Sequence, residues 1–433
     1  MNNSEMAQRD LAHIWHPCTQ MKDHEFLPMI PIRKGEGVYL EDFDGRRYID
    51  AISSWWVNLF GHANAEVSAA VAEQAKTLEH VILAGFTHEP IVRLSERLCA
   101  MAPDGLTKCF YADNGSSAVE VALKMAYHFH KNSGRERPRF LSLTNSYHGE
   151  TLGALSVGDV KLYKETYEPL LIRCDQTPVP ADTSEAAAIE AAGALEAVLA
   201  ESGDEISALI VEPLVQGAGS MHMYHPRYLK EARALCDRYG VLLIADEIMT
   251  GFGRTGTMFA CEQAGIAPDF MTLSKGLTGG YLPLSVTLTT ERIYRAFYCD
   301  YNLYKAFLHS HSYTGNALAC AAANATLDIF ERENVIENNR KLSRKMAQEL
   351  ERFSALPNVQ EVRQTGMIAA VELQGYDPAE RIGLKVYEYG LANGVLLRPL
   401  GNVVYFMPPY IIKEKEIETM MKTAFDAIER VLG

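Results

Sequence analysis

A lysine and an aspartate, Lys275 and Asp246, carry the most distinctive chemistry in the sequence. Each closes a short apolar run: Met271-Thr-Leu-Ser before the lysine and Val241-Leu-Leu-Ile-Ala before the acid. A lysine at the mouth of a sheet is costly to bury, because desolvation disfavours the ammonium. The same penalty frees the neutral amine as a nucleophile, and its commonest use is a Schiff base with an aldehyde cofactor. Twenty-nine residues separate the two positions, room for one crossover between parallel strands. An aspartate on the neighbouring strand end can hold a pyridine nitrogen protonated, so the pair has what pyridoxal phosphate needs.

Such a cofactor also requires a phosphate site and a flat contact for its ring. Lys108-Cys-Phe-Tyr-Ala112 reads as a strand, followed by Asp113-Asn114-Gly115-Ser116-Ser117-Ala118 and a helical pattern from Val119 to His130. A helix N-terminus opened by small residues offers free N–H groups and a favourable dipole to an anion. Alone, the same residues make an ordinary N-cap; the lysine and aspartate elsewhere tip the reading towards phosphate. Phe140-Leu-Ser-Leu ends in Asn145-Ser146-Tyr147-His148-Gly149, where Tyr147 is placed to stack on a ring. Ile206–Val211 ends in Glu212-Pro213. The segment His309-Ser310-His311-Ser312-Tyr313-Thr314 sets hydroxyls before an alanine-rich helix from Ala317, again suiting a phosphate. Its histidines have no cysteine or carboxylate close by in sequence, so a loop role is preferred to a metal.

Three further features admit two readings each. Arg398, among Leu396, Leu397 and Pro399, is either a structural ion pair or a bidentate clamp on a substrate carboxylate. Trp55 and Trp56, taken as strand neighbours, face opposite ways, so at most one points into a given pocket. Gly251-Phe-Gly253-Arg254-Thr255-Gly256 matches a dinucleotide fingerprint, with Asp269 eighteen residues on. That reading fails on context, since Asp246 and Glu247 occupy the strand end where bare amides should meet pyrophosphate.

These strand ends must be positioned by a common scaffold. Strands that end in polar residues and alternate with helices indicate an α/β fold with an open, mostly parallel sheet, its ligand lying outside the carboxyl ends of the strands. Residues 182–202, rich in Ala and Glu, read as a solvated helix. From about residue 326 the pattern becomes α+β, with strands near 366–373, 395–399 and 403–407 and a final helix from about 413. The expected division is residues 1–60, a large domain at 61–325 and a smaller one at 326–433.

Bulk properties narrow the field. A net charge of −14 over 433 residues argues against nucleic acid, whose phosphates need a basic surface. No apolar run approaches the roughly 18 residues of a membrane span, and the amino-terminal residues lack an apolar signal core. The 8 cysteines are scattered without a C-x-x-C pair, which fits a reducing cytoplasm better than a disulfide or zinc framework.

The set Gly115-Ser116, Tyr147-His148-Gly149, Glu212-Pro213, Asp246-Glu247 and Ser274-Lys275-Gly276 resembles the class III pyridoxal-phosphate aminotransferases. His13-Ile-Trp-His-Pro17, Ser53-Ser-Trp-Trp56, Arg398-Pro399 and Met407-Pro-Pro-Tyr-Ile411 resemble the branch that aminates 8-amino-7-oxononanoate with S-adenosylmethionine during biotin synthesis. The resemblance covers about residues 10 to 430. It implies fold type I, with a large aspartate-aminotransferase-like domain and a small domain built from both termini. It implies that Lys275 bonds the cofactor aldehyde and then shuttles a proton, Asp246 pairs with the ring nitrogen, Tyr147 stacks, and Gly115 and Ser116 hold the phosphate. Glu212 joins the cofactor set. A homodimer is implied, with His311 and Ser312 of the partner subunit completing the phosphate site. Trp55, Ser310, Arg398 and Cys18 fall in the substrate site, Arg398 on the keto substrate's carboxylate. Cys18 stands where the family has tyrosine, and Ser310-His311-Ser312 where it has Gly-Pro-Thr. Lys275, Asp246 and Tyr147 together argue against a non-catalytic, cofactor-binding regulatory domain.

Overall fold

Asp42 closes the second hairpin of the chain. Its carboxylate accepts from the amides of Asp44 at 3.0 Å and Arg46 at 2.8 Å, and Gly45 takes the positive φ of 84° that the turn requires. In the computed structural model, which describes residues 1–432, this hairpin follows helix α1 (Asn3–Leu11) and strand β1 (Ile32–Glu36). It joins β2 (Tyr39–Asp42) to β3 (Arg47–Asp50), which pair antiparallel.

Helices α2 (Ala65–Gln74) and α3 (Glu89–Met101) lead into a seven-stranded sheet. Its strands, with the longer helices between them, are β4 (Leu106–Ala112), α4 (Gly115–Asn132), β5 (Arg139–Leu143), β6 (Cys174–Thr177), α5 (Glu185–Ser202), β7 (Ile206–Val211), α6 (Arg227–Tyr239), β8 (Leu242–Asp246), β9 (Phe270–Leu273) and β10 (Ser285–Thr290). The spatial order is β4-β10-β9-β8-β7-β5-β6. β6, β5, β7, β8 and β9 are parallel neighbours, whereas β10 runs antiparallel to both β9 and β4. Phe140, Ala208, Ile210, Leu242, Ile244 and Phe270 from this sheet pack with Val119, Leu123 and Ala126 of α4 to make the core.

α5 is less solvated than its composition suggests. Ala188, Ala191, Ala192, Leu195 and Leu199 are buried in a stripe at helical spacing, and the helix packs on α6. Alanine contributes little to an amphipathic signal, so the stripe is weak in the sequence.

Helix α7 (Ala317–Arg332) packs on α3 and on the turn that carries Lys275. It therefore stays with the sheet, and the break between compact units falls at residues 340–341, inside α8 (Val335–Leu350), where 325–326 was expected. The larger unit is Glu66–Arg340 with Gln364–Ile368; the other is Met1–Ala65, Lys341–Arg363 and the chain from Ala369. The carboxyl-terminal elements are β11 (Val359–Thr365), β12 (Ile368–Leu373), α9 (Ile382–Ala392), β13 (Val395–Leu396), β14 (Val403–Phe406) and α10 (Glu414–Leu432). β13 adds in parallel to β3, which ties the two termini into one sheet, and β11-β12-β14 form a second. The periodicity reading did not identify β11 or α9; β11 is largely polar, with a half-exposed face.

Candidate active site

The lysine does not end its strand. β9 stops at Leu273, and Lys275 opens a 3-10 turn, Lys275–Thr278, with a φ of 45°. A left-handed lysine is strained. The turn is held by Ser274 Oγ, which donates to the Leu284 carbonyl at 2.8 Å, and by Gly279 at φ 61°. Burial lowers the lysine's pKa; the negative charges of Asp246 and Glu212 oppose that shift, and Arg254 adds to it. Burial is the largest of these effects, so the net shift is downward.

Asp246 is opposite Thr272 in the β8–β9 register, three residues before the lysine's position in the chain. Its carboxylate is buried and fully engaged on two sides. His148 Nδ1 lies 2.7 Å from Oδ2, while the Thr272 hydroxyl and the Ile248 amide donate to Oδ1, each at 3.2 Å. Neighbouring Glu247 faces the opposite way. It accepts from the Thr250 hydroxyl at 2.6 Å and the Cys261 amide at 2.9 Å, stapling the crossover loop that replaces a helix between β8 and β9. In this loop Gly251 is needed because a Cβ would meet the Glu247 carbonyl at 2.8 Å. That accounts for the first glycine of the fingerprint-like run without any dinucleotide.

The ends of β5 and β7 meet through Glu212. Its carboxylate accepts the amide of Tyr147 at 2.9 Å and that of Gly217 at 2.8 Å, fixing the backbone that presents the Tyr147 ring. Burial pushes its pKa up to about 7, with Asp246 adding to the rise and His148 and the two amides resisting it. A carboxyl raised in this way binds its proton in the folded state first. Its contribution to stability is therefore present below about 4.5 and lost as pH climbs through 7. Tyr147 donates its hydroxyl to Glu150 at 3.0 Å and meets Tyr163 edge-on at 5.7 Å.

At the start of α4, Asn114 caps the Ser117 amide at 3.1 Å, which leaves the N–H groups of Gly115 and Ser116 as first-turn donors. Gly115 abuts Ile248, which would lie 3.0 Å from an added Cβ. Ser116 Oγ accepts from the Glu150 amide at 3.2 Å, directly beside Gly149. Gly149 has φ 126°, and a Cβ there would fall 2.0 Å from Ser116 Oγ. Gly149→Ala is expected to destabilise the protein by roughly 1–3 kcal/mol and to weaken phosphate binding. Unchanged melting and inorganic-phosphate affinity would show that the close approach is unimportant.

Gly115, Ser116, Tyr147, Glu212, Asp246 and Lys275 are thus linked by direct contacts or by charge within one unit. The chemistry of the set fits pyridoxal phosphate: a desolvated amine, a buried carboxylate held by hydrogen bonds, an aromatic on a fixed backbone, and bare amides at a helix start. Sequence reasoning named His148 only as part of a motif and gave no role to Thr272 or Ile248. His148 orients the aspartate, and its position beside Tyr147 was the one available signal. Arg254, fully buried, appeared only within the rejected fingerprint.

The loop before α7 is arranged differently from the simple reading. His311 Nδ1 lies 3.0 Å from Asp113, one residue before the α4 cap, so a carboxylate distant in sequence is close in space. His309 links His311 at 3.0 Å to Lys124 at 2.8 Å. Among the described residues no group of three or more His, Cys, Asp or Glu is placed to hold a metal. Ser310 and Ser312 are exposed.

Trp55, Arg398 and Cys18 belong to the other unit, where they line a cavity of about 580 Å³ with His16 and Tyr387. The two tryptophans are not on a strand. Ser53–Trp56 form a left-handed helical turn, with φ values of 51°, 45°, 73° and 73°. The indole of Trp56 is buried and donates to Tyr405 at 3.0 Å, while Trp55 is 39% exposed and faces the cavity. The Arg398 guanidinium stacks on the Trp55 ring at 4.0 Å. Among the described residues no carboxylate lies within salt-bridge distance of it, so the ion-pair reading of Arg398 is not what the structure presents.

Comparison with known proteins places this geometry. The family model for class-III aminotransferases matches residues 19–429. The adenosylmethionine-8-amino-7-oxononanoate aminotransferase of Helicobacter pylori is 55% identical, over 96% of each chain. The crystal structure of the enzyme of that name from Methanocaldococcus jannaschii superposes with a TM-score of 0.95 at 38% identity, covering 99% of both chains. An omega transaminase from Pseudomonas jessenii, solved in complex with PMP, gives 0.92 at 29% identity, with 98% of this chain and 97% of that one covered.

Proposed function

The chain belongs to the class-III aminotransferases, and we propose that it transfers an amino group from S-adenosylmethionine to 8-amino-7-oxononanoate, yielding 7,8-diaminononanoate for biotin synthesis. The family's cofactor is pyridoxal phosphate, which supplies an aldehyde to carry the amino group and a protonated ring to spread the charge left by a departing proton. In this reading Lys275 is the residue that would hold the cofactor by its aldehyde, and its amine would move the proton at the substrate carbon that bears nitrogen. Asp246 sets a negative charge against the ring nitrogen, and His148 keeps that carboxylate aimed. Gly115 and Ser116 donate to the phosphate, and Tyr147 covers one face of the ring. Both half-reactions use one site, so the kinetics are ping-pong.

Of the residues the resemblance assigns to substrate, Trp55, Arg398 and Cys18 line one cavity of the smaller unit, and Tyr147 and Ser310 belong to the larger unit. The observation that carries the acceptor assignment is Arg398: a guanidinium laid on an indole, with no carboxylate among the described residues within salt-bridge distance, can offer its N–H edge to a ligand's carboxylate. Arg398→Ala should raise KM for the keto acid about 10–100-fold, the worth of a hydrogen-bonded charge, and affect the amino donor less. Equal losses for both ligands would assign Arg398 a structural role.

A homodimer would give cover to Tyr298, Tyr301, Tyr304 and Leu308, which are exposed on the larger unit. His311 of the partner subunit and Ser312 of the partner subunit then complete the phosphate site. No helix among the described residues is long and apolar enough to cross a membrane; a cytoplasmic location suits the reading.

The deciding experiment is a half-reaction. Cofactor-loaded protein is mixed with S-adenosylmethionine alone or with lysine alone, and conversion of the bound cofactor to its amine form is followed by absorbance. Conversion by S-adenosylmethionine supports the proposal. Conversion by lysine only would make Cys18, in place of a tyrosine, the mark of a different donor. Conversion by neither, with turnover of simple ω-amines, would favour the activity named for the Pseudomonas relative.

A further inference from the structure

Away from this site, two cysteines from different elements meet. Cys99 near the end of α3 and Cys109 in the middle of β4 place their sulfurs 3.7 Å apart. Both are free thiols and both are only partly buried.

The surroundings separate the two thiols. Cys99 has Lys108 nearby and receives a hydrogen bond from Cys109; together these pull its pKa down to about 7, against a smaller opposing effect of burial. Cys109 is the deeper of the two and is held well above the ordinary thiol range, chiefly by its bond to Cys99 and by burial. Its sulfur also sits 4.0 Å from the Ser95 carbonyl. Of two thiols in contact, Cys99 is thus the shallower and the more readily ionised, and Cys109 the deeper and the less so. This is the division of labour between an attacking and a resolving cysteine.

We propose that Cys99 and Cys109 are an oxidation site, closing to a reversible disulfide that clamps α3 to β4. With a small disulfide such as oxidised glutathione the exchange balances. The Cys99 thiolate attacks one glutathione sulfur and expels the other as thiolate. Cys109 then gives up its proton and attacks the Cys99 sulfur, expelling the second glutathione. Two protein thiols and one glutathione disulfide become one protein disulfide and two glutathione thiols. Closing the bond requires the sulfurs to approach from 3.7 Å to about 2 Å. The clamp lies on the strand whose far end delivers Asn114 and Gly115 to the start of α4.

The test uses the full-length, cofactor-loaded protein. It is incubated with oxidised glutathione, unreacted thiols are alkylated, and the peptides are mapped by mass with and without reduction. The expected result is a Cys99–Cys109 linked peptide, reversed by dithiothreitol and lost in Cys99→Ser, which instead leaves Cys109 alkylatable. Before oxidation, Cys99 should alkylate at neutral pH at least tenfold faster than Cys109. The proposal is overturned if Cys99 stops at a stable glutathione adduct, if both thiols remain free, or if Cys109 pairs with Cys320. Comparing the melting of oxidised and reduced forms of the same sample shows whether the protein stays folded throughout, so unfolding cannot be mistaken for reactivity.

Discussion

Lys275→Ala is expected to abolish turnover, by at least about 10⁴-fold, because one change removes both the nucleophile and the proton carrier. The effect should appear in both half-reactions. It should not appear in the fold: the amine is a desolvated group whose charged form is already disfavoured, so its loss relieves a burial cost. Circular dichroism and melting of the cofactor-free variant should match or slightly exceed the parent. A product assay at saturating substrates checks the rate. A variant within a hundredfold of the parent would show that Lys275 is not the group that moves the proton.

Asp246→Asn comes next in size. The amide keeps the carboxylate's shape: its one oxygen can still accept from Thr272 and the Ile248 amide, and its NH2 can donate to an unprotonated His148 Nδ1, so the structure should hold. What disappears is the negative charge opposite the ring nitrogen. Losing one such preorganised electrostatic contact should cost about 10³-fold in kcat, or about 4 kcal/mol. A second readout separates chemistry from packing: the ring nitrogen of bound cofactor should lose its proton at lower pH in the variant, visible in its absorbance. A loss below tenfold, with an unchanged pH response, would reassign Asp246 to a structural part in the His148 cluster.

The strand ends of the larger unit were legible in the sequence for a simple reason. Strands buried on both faces are continuous apolar runs, so a polar residue closing one is conspicuous; Lys275, Asp246, Glu212 and Tyr147 were all found this way. The start of α4 was equally plain, because Asn114 and the small residues after it are a local signal. Pairings across the sheet were hidden. Nothing local links His148 with Asp246, or His311 with Asp113, since 98 and 198 residues of chain intervene. Lys275 itself shows the limit at finer scale: its place after a strand was evident, its left-handed backbone was not. The tryptophan pair was misread for the same reason. Four non-glycine residues in succession with positive φ defy propensity, and only the surrounding contacts hold them.

Those contacts have a consequence for ligand binding. The Ser53–Trp56 turn is anchored at every residue but Trp55. Ser53 donates to the Met407 carbonyl, Ser54 to both oxygens of Asp50, and Trp56 to Tyr405. The backbone beneath the Trp55 indole is thus set before any ligand arrives, and the Arg398 guanidinium rests on it. Mobility that a flexible loop would surrender on each encounter has been given up once, during folding. Binding in this cavity should carry a small ordering entropy for its size. Loosening the turn at Ser54 should therefore weaken ligands mainly through entropy, leaving the binding enthalpy nearly intact.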